Sequence, residues 1–290
     1  MKHLLSLSIF AFVVLAFASC TKDNSKTAGL SPVWQNNQQE EEVVTDPYAW
    51  VKAVPADFTK KVVLEEFTGE WCGWCPEGAK VMEDNVAANP GRVVGIAVHD
   101  GDPMEIPSFN TWIKGLTGVS GYPNGSVDRA DASSRGSWTG QITTELAKAA
   151  TCGLAMVSTL NGDAIDVNVY VGYNTPITGN TKLTLAVIEN DVPQSPGGQS
   201  NYSSSVVVDA NWQHSHVLRG IITAEQGDDI KLNESTNYTK VEFKNIDLSG
   251  MKINDMKNVH LAAFININDA GKREVLNAQE CGLNEEKKWD

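Results

Sequence analysis

Positive charge, cysteine and long apolar runs are all scarce in this sequence. Its 290 residues carry 23 Lys+Arg against 36 Asp+Glu, a formal net charge of −13. So acidic a chain lacks the basic surface that draws nucleic acid or anionic lipid by charge. There are five cysteines, and one pair alone, Cys72 and Cys75, has Cys-x-x-Cys spacing. With no second such pair and no Cys/His pair at ligand spacing, the pattern gives no support for a zinc site. The apolar stretch from Leu4 to Phe17 falls short of the roughly 20 residues of a spanning helix. Hydrophobic residues nevertheless make up 41% of the chain and charged residues 20%, which suits a globular protein with a substantial core.

The N-terminus has the shape of a targeting segment. Met1-Lys2-His3 supplies charge, Leu4 to Phe17 the apolar region, and Ala18-Ser19-Cys20 the small residues at its end. That end resembles a bacterial lipobox. The resemblance implies a signal peptide over 1–19 and lipidation of Cys20, the alternative being an ordinary signal peptide with an incidental cysteine. Residues 20–47 are polar, with Glu40-Glu41-Glu42 inside them. Such a stretch buries too little apolar surface to order itself and reads as a flexible tether of about 30 Å reach.

From 48 to 151 strand-like and helix-like stretches alternate. Lys61 to Phe67 is a run of a strand buried on both faces, and a helical pattern follows over Glu77–Asn89, with Ala79, Met82 and Val86 on one side. Arg92–His99 reads as a second buried strand, Pro107–Leu116 as a helix, Ser126–Asp128 as a short strand and Trp138–Ala150 as a closing helix. Alternation of this kind argues for an α/β sheet with helices packed on it. From 152 to 290 the period changes to two. Ile165, Val167, Val169 and Val171 alternate with polar residues, as do Leu183, Leu185 and Val187, and Asn161-Gly162 marks a hairpin. Further strands are expected over His216–Thr223, Tyr238–Ile246, Asn258–Ile267 and Arg273–Ala278, giving an antiparallel β-sandwich. The polar stretch Asn190–Ser205 is a long loop, either a recognition surface or a solvated connection.

Trp71-Cys72-Gly73-Trp74-Cys75-Pro76 lies between a predicted strand and a predicted helix. If the helix starts at the motif, its free N–H groups and positive dipole end favour a thiolate at Cys72, with Cys75 in reach to resolve a mixed disulfide. With the preceding Val62-Val63-Leu64-Glu65-Glu66-Phe67, this block resembles a thioredoxin-fold domain. The resemblance implies a cis-proline at Pro123 in Gly121-Tyr122-Pro123, with the Tyr122 backbone and Trp71 bordering a docked substrate. It also implies that Glu66 is a buried acid near Cys75; the alternative is an exposed edge carboxylate. The order of signal, tether, Phe67-Thr68-Gly69 before Cys-x-x-Cys-Pro, Gly-Tyr-Pro with Gly125 just after, then His214-Ser215-His216-Val217-Leu218-Arg219 in a β-domain is similar to the Omp28-related outer-membrane lipoproteins of Bacteroidetes-type bacteria.

The expected fold is therefore an α/β thioredoxin-like domain followed by an all-β antiparallel sandwich. The expected activity is thiol–disulfide exchange on protein substrates, with Cys72, Cys75 and Glu66 catalytic and Trp71, Tyr122 and Pro123 contacting substrate. No cofactor or metal is expected. The partners are protein thiols and disulfides, a redox partner that the chain does not identify, and the outer membrane through the lipid on Cys20. The competing reading is a binding or adhesion lipoprotein with an inert disulfide. Cys152 and Cys281 bracket the β-region as a staple, as buried free thiols, or with one of them trading disulfides with the Cys72–Cys75 pair. His214 and His216 share one face if they lie in a strand.

Overall fold

The computed structural model describes residues 47–175, 177–233, 235–269 and 272–290. The expected signal peptide, Cys20 and nearly all of the tether lie outside the described residues. Along the chain the elements are β1 (Val62–Thr68), α1 (Cys75–Ala88), β2 (Val93–His99), α2 (Pro107–Thr117), β3 (Asn124–Val127), β4 (Ser133–Ser134) and α3 (Arg135–Leu146). Then come β5 (Gly153–Asn161), β6 (Ala164–Gly172), β7 (Thr181–Glu189), β8 (Val192–Pro193), β9 (Gln213–His214), β10 (Val217–Ile221), β11 (Asp228–Asp229), β12 (Tyr238–Asp247), β13 (Val259–Asp269), β14 (Lys272–Gly282) and β15 (Glu286–Lys287). Among the described residues the fold is β-rich, and no helix is long and apolar enough to cross a membrane.

One mixed sheet of nine strands runs β14-β13-β7-β10-β2-β1-β3-β4, with β11 added beside β7. β1 and β2 are parallel, in register from Val62↔Val93 to Thr68↔His99, and β3 returns antiparallel with Glu66 opposite Gly125. Both central strands are buried along their whole length, as uninterrupted apolar runs covered on both faces require. One face carries Val63, Phe67, Val94, Ile96 and Val98 against Phe109 and Ile113 of α2. The other carries Val62, Leu64 and Ala97 against Met82 of α1 and Trp138 and Ile142 of α3.

The sheet does not stop at the boundary expected at 151/152. β10 pairs in parallel with β2 at Val217↔Ala97, so the segments expected as two domains share one sheet. β7 and β13 use their even-numbered side chains (Ala186, Ile188, Ala262, Phe264) to continue the α2 face. Their odd-numbered side chains (Leu185, Val187, Leu261, Ala263) meet Leu154, Met156, Val167 and Val169 of a second, four-stranded antiparallel sheet, β12-β6-β5-β15. The hairpin signal at Asn161-Gly162 is the β5–β6 connection, with Asn161 opposite Ala164 and Gly162 at φ +65. Lys60 Nζ ties the sheet's halves by donating to Asp128 Oδ2 at 2.7 Å and to the Val275 carbonyl at 3.0 Å.

Sequence alternation puts Glu65 and Glu66 on opposite faces of β1, and both are fully buried. Glu65 is held by Arg129, whose Nε lies 3.4 Å from its Oε1 and whose guanidinium stacks 5.1 Å from Trp112 and 4.7 Å from Phe264. Removing one member of a buried pair leaves an uncompensated charge. Arg129→Met is expected to lower stability by about 3–5 kcal/mol, and Glu65→Met/Arg129→Met to restore most of it. Urea titrations of the four proteins at neutral pH check this cycle.

Candidate active site

β1 ends at Thr68, and the chain turns sharply to reach α1. Cys72 N–H donates to the Gly69 carbonyl at 2.9 Å, and Cys75 N–H to the Cys72 carbonyl at 3.2 Å. The helix begins at Cys75 itself, with Pro76 in the first turn, where a missing N–H costs little. Cys72 therefore stands ahead of the first turn, not at the helix N-terminus the sequence pattern allowed. Cys72 and Cys75 are joined as a disulfide with Cα atoms 5.4 Å apart. Both are buried, Cys72 at 5% exposure and Cys75 at 1%.

Glu66 and Pro123 meet the same helical turn. A Cβ built on Gly78 would lie 2.3 Å from Glu66 Oε1 and 2.7 Å from Pro123 Cβ. Only glycine lets α1 sit this close to β1 and to the loop before β3. The Tyr122–Pro123 peptide is cis. Neither carboxylate oxygen of Glu66 has a hydrogen-bond partner, so the exposed-edge alternative for this residue does not hold. Burial, and then the charge of Glu83, push its carboxyl well above the usual range.

Trp71 and Tyr122 are brought together on one flank of the turn. Their rings meet edge to face at 5.1 Å, and the Trp71 indole N–H donates to the Asp100 carbonyl at 2.6 Å. The Tyr122 hydroxyl donates to Asp100 Oδ2, which also accepts from Lys114 Nζ at 2.9 Å. Burial and this bond raise the Tyr122 hydroxyl, so it stays a neutral donor. Trp71 remains 49% exposed, as does Trp74 at 46%.

Sequence reasoning missed the other flank. Glu70, two residues before Cys72, is buried with His99 and His214, and the side chain of the half-buried Asp102 points in among them. His99 Nδ1 lies 2.6 Å from Asp102 Oδ2, His214 Nε2 lies 3.4 Å from Glu70 Oε1, and the two imidazoles pack edge to face at 5.1 Å. Burial, and then His99, push His214 down to about 4, so its ring is neutral at physiological pH. Nothing local in the sequence marks this cluster, because its members come from three separate segments, around Glu70, His99–Asp102 and His214. Among the described residues no group of three or more His, Cys, Asp or Glu side chains is arranged to hold a metal. His216 does not share a face with His214: it takes a left-handed backbone, φ +57, and its ring lies against Gly95.

Cys152 and Cys281 are free, separately buried thiols. Cys281 lies near Ser158, its sulfur 4.0 Å from the hydroxyl. Cys152 is six residues upstream along an extended strand, about 20 Å away, far beyond the roughly 7 Å Cα limit of a disulfide. Burial raises both thiols, Cys152 to about 12 and Cys281 to about 11.

A sequence profile described as "Outer membrane protein Omp28" matches residues 112–287. The chain belongs to the Omp28 family. The matched stretch spans Tyr122, Pro123 and the whole β-rich half, and begins after the disulfide. Membership supports an association with the envelope or outer membrane. Among solved structures, HBP35 of Porphyromonas gingivalis is similar at 20% identity and a TM-score of 0.68, covering 81% of this chain and 78% of that one. A structural-genomics protein of Agrobacterium tumefaciens is similar at 16% identity and a TM-score of 0.51, covering 81% of this chain and 99% of that one. Both likenesses bear on fold. No curated protein matches.

The burial of Glu66 has a measurable signature. Its proton is held more tightly in the folded than in the unfolded chain, so the folded state binds more protons above about pH 4.5. Stability conferred at this site therefore falls as pH rises toward the folded pKa, by up to about 1.4 kcal/mol per pH unit. Glu66→Gln is expected to remove that slope, so that its stability relative to wild type improves between about pH 5 and 8. Denaturant titrations across that range check it; a constant difference would mean that Glu66 is not proton-loaded in the fold.

Proposed function

We propose that this chain is an envelope lipoprotein, anchored through Cys20 to the outer membrane on its periplasmic or outer side, that carries out thiol–disulfide exchange on protein substrates. In this reading residues 48–151 are thioredoxin-like and 152–290 are a β-sandwich that shares their sheet. The observation that carries it is the convergence on one helical turn of a Cys72–Cys75 disulfide, an unpartnered buried Glu66 and a cis Pro123.

In the oxidised protein a client thiolate attacks Cys72 Sγ. The Cys72–Cys75 bond breaks, a client–Cys72 bond forms, and Cys75 leaves as thiolate. Glu66, holding a proton beneath the first turn, protonates that thiolate. A second client thiolate then attacks the client sulfur, closing the client's disulfide and leaving Cys72 and Cys75 reduced, two electrons richer. The reverse sequence reduces a client disulfide, with Cys72 as nucleophile and Cys75 resolving. The potential of the pair against its partners sets the direction. Trp71 and Tyr122 wall the approach. The chemistry resides in the sulfurs and calls for no dissociable cofactor, while a partner protein renews the redox state.

The competing reading, a binding or adhesion lipoprotein with an inert disulfide, draws on one observation: Cys72 is buried. Two measurements separate them. Cys75→Ser, which lacks the resolving thiol, is expected to accumulate mixed disulfides with envelope proteins, while Cys72→Ser is not. Equilibration with a glutathione buffer is expected to place the pair above about −300 mV, in the range of exchange-active disulfides. A far lower value, with no catalysis of insulin reduction or of oxidative refolding, would establish the inert disulfide.

A further inference from the structure

The cover over the redox turn is a remote stretch of the same chain. β8 and β9 pair at Val192↔His214 and Pro193↔Gln213, closing the base of the long loop 194–212. Its outer part lies along the turn as an added strand would. Ser200 N–H donates to the Glu70 carbonyl and Tyr202 N–H to the Gly73 carbonyl, both at 2.7 Å. The side-chain amide of Gln199, through Nε2, donates to the Cys72 carbonyl at 3.0 Å. Two side-chain latches hold the ends. Glu70 accepts from Ser195 N–H at 2.6 Å and from the Ser195 hydroxyl, and Glu77 accepts from the Ser203 hydroxyl at 2.6 Å. The Tyr202 ring lies over Gly73, where a Cβ would come within 2.3 Å of it, and packs edge-on against Trp74 at 6.1 Å.

The stretch adheres by hydrogen bonds and contributes little to any core. Tyr202 is 69% exposed and Val207 83%. Segments with few buried apolar contacts open locally at low cost, independently of the global fold. The carbonyls it covers are the groups an extended polypeptide would use to pair beside Cys72.

We propose that residues 195–205 are a displaceable strap that regulates the exchange site. Docked, it covers the redox turn. Lifted, it exposes Cys72 and releases the carbonyls of Glu70, Cys72 and Gly73 to an extended segment of an unfolded client, which takes the strap's place. Trp71 and Trp74, exposed on either side of Cys72, then favour apolar side chains in that client. The proposal rests on the exchange reading of the same site.

The test uses the full reduced protein and an excess of maleimide, with peptide mass mapping to follow Cys72 alone. Tyr202→Ala and Ser195→Ala/Ser203→Ala are expected to raise the labelling rate about tenfold, as the loss of two or three hydrogen bonds or ring contacts predicts. The glutathione equilibrium of the pair should stay unchanged, because the strap controls access and not the bond. Amide exchange on the wild-type protein is an independent measurement: the Ser200 and Tyr202 N–H groups are expected to be protected, and to lose protection when an unfolded peptide with apolar side chains is added. Labelling within twofold of wild type in both variants, or unprotected amides in the wild type, overturns the strap while leaving the exchange reading to its own test. Accelerated labelling in a protein that exchanges with no client would overturn the exchange reading and keep the strap as a cover.

Discussion

A single parallel contact between β10 and β2 determines what surrounds the cysteines. Ala97 N–H donates to the His216 carbonyl at 2.7 Å, and Val217 stands opposite Ala97. That contact fuses the two halves of the chain into one sheet. It seats His214 against Glu70 and His99, and it directs the preceding loop back over the turn at Cys72. Loop-closure entropy makes such a long-range pairing costly to initiate. Here it is reinforced on the far side by the antiparallel pairing of β10 with β7 and by the buried Arg219–Glu189 ion pair, Nε to Oε2 at 2.7 Å.

The adjacent acids of β1 show how one strand serves two purposes. Both lose their water on folding, and the pleat sends them to opposite faces. Glu65 meets the guanidinium of Arg129, which in turn lies over two aromatic rings, an opposite charge that compensates its own. Glu66 lies against α1 at Gly78, the residue that Pro123 also approaches, and meets no donor. A buried carboxyl without a partner is costly unless it stays protonated. Under the exchange reading that proton has a use, whereas Glu65 needs no account beyond packing.

The parts of the fold that could be read from sequence are those governed by local pattern. β1 and β2 announce themselves as uninterrupted β-branched runs, the β5–β6 hairpin through Asn161-Gly162, and the first turn of α1 through Pro76. The depth of Glu66 follows from alternation along β1, and its closeness to Pro123 from the resemblance of the motif. What escaped depends on register between distant segments. α3 begins at Arg135 rather than at Trp138, because its first turn carries no apolar stripe. Arg129 gives no local sign of burial, since its partner is 64 positions away. The stretch from Asn190 to Ser205 is polar because its partners are backbone carbonyls and two glutamates, and composition alone cannot separate such a segment from a solvated connection. The shared face expected of His214 and His216 fails because β9 ends at His214 and His216 itself takes a left-handed backbone.

The two sealed thiols bear on how the chain matures. Once the sheets close over Cys152 and Cys281, neither sulfur ionises readily and neither can reach a disulfide, so the finished protein cannot scramble its own pairing. Before closure all of these sulfurs share one unfolded coil. In an oxidising compartment, it is the closure of the strands around Cys152 and Cys281 that withholds both sulfurs from any oxidant able to link them to the pair at the turn.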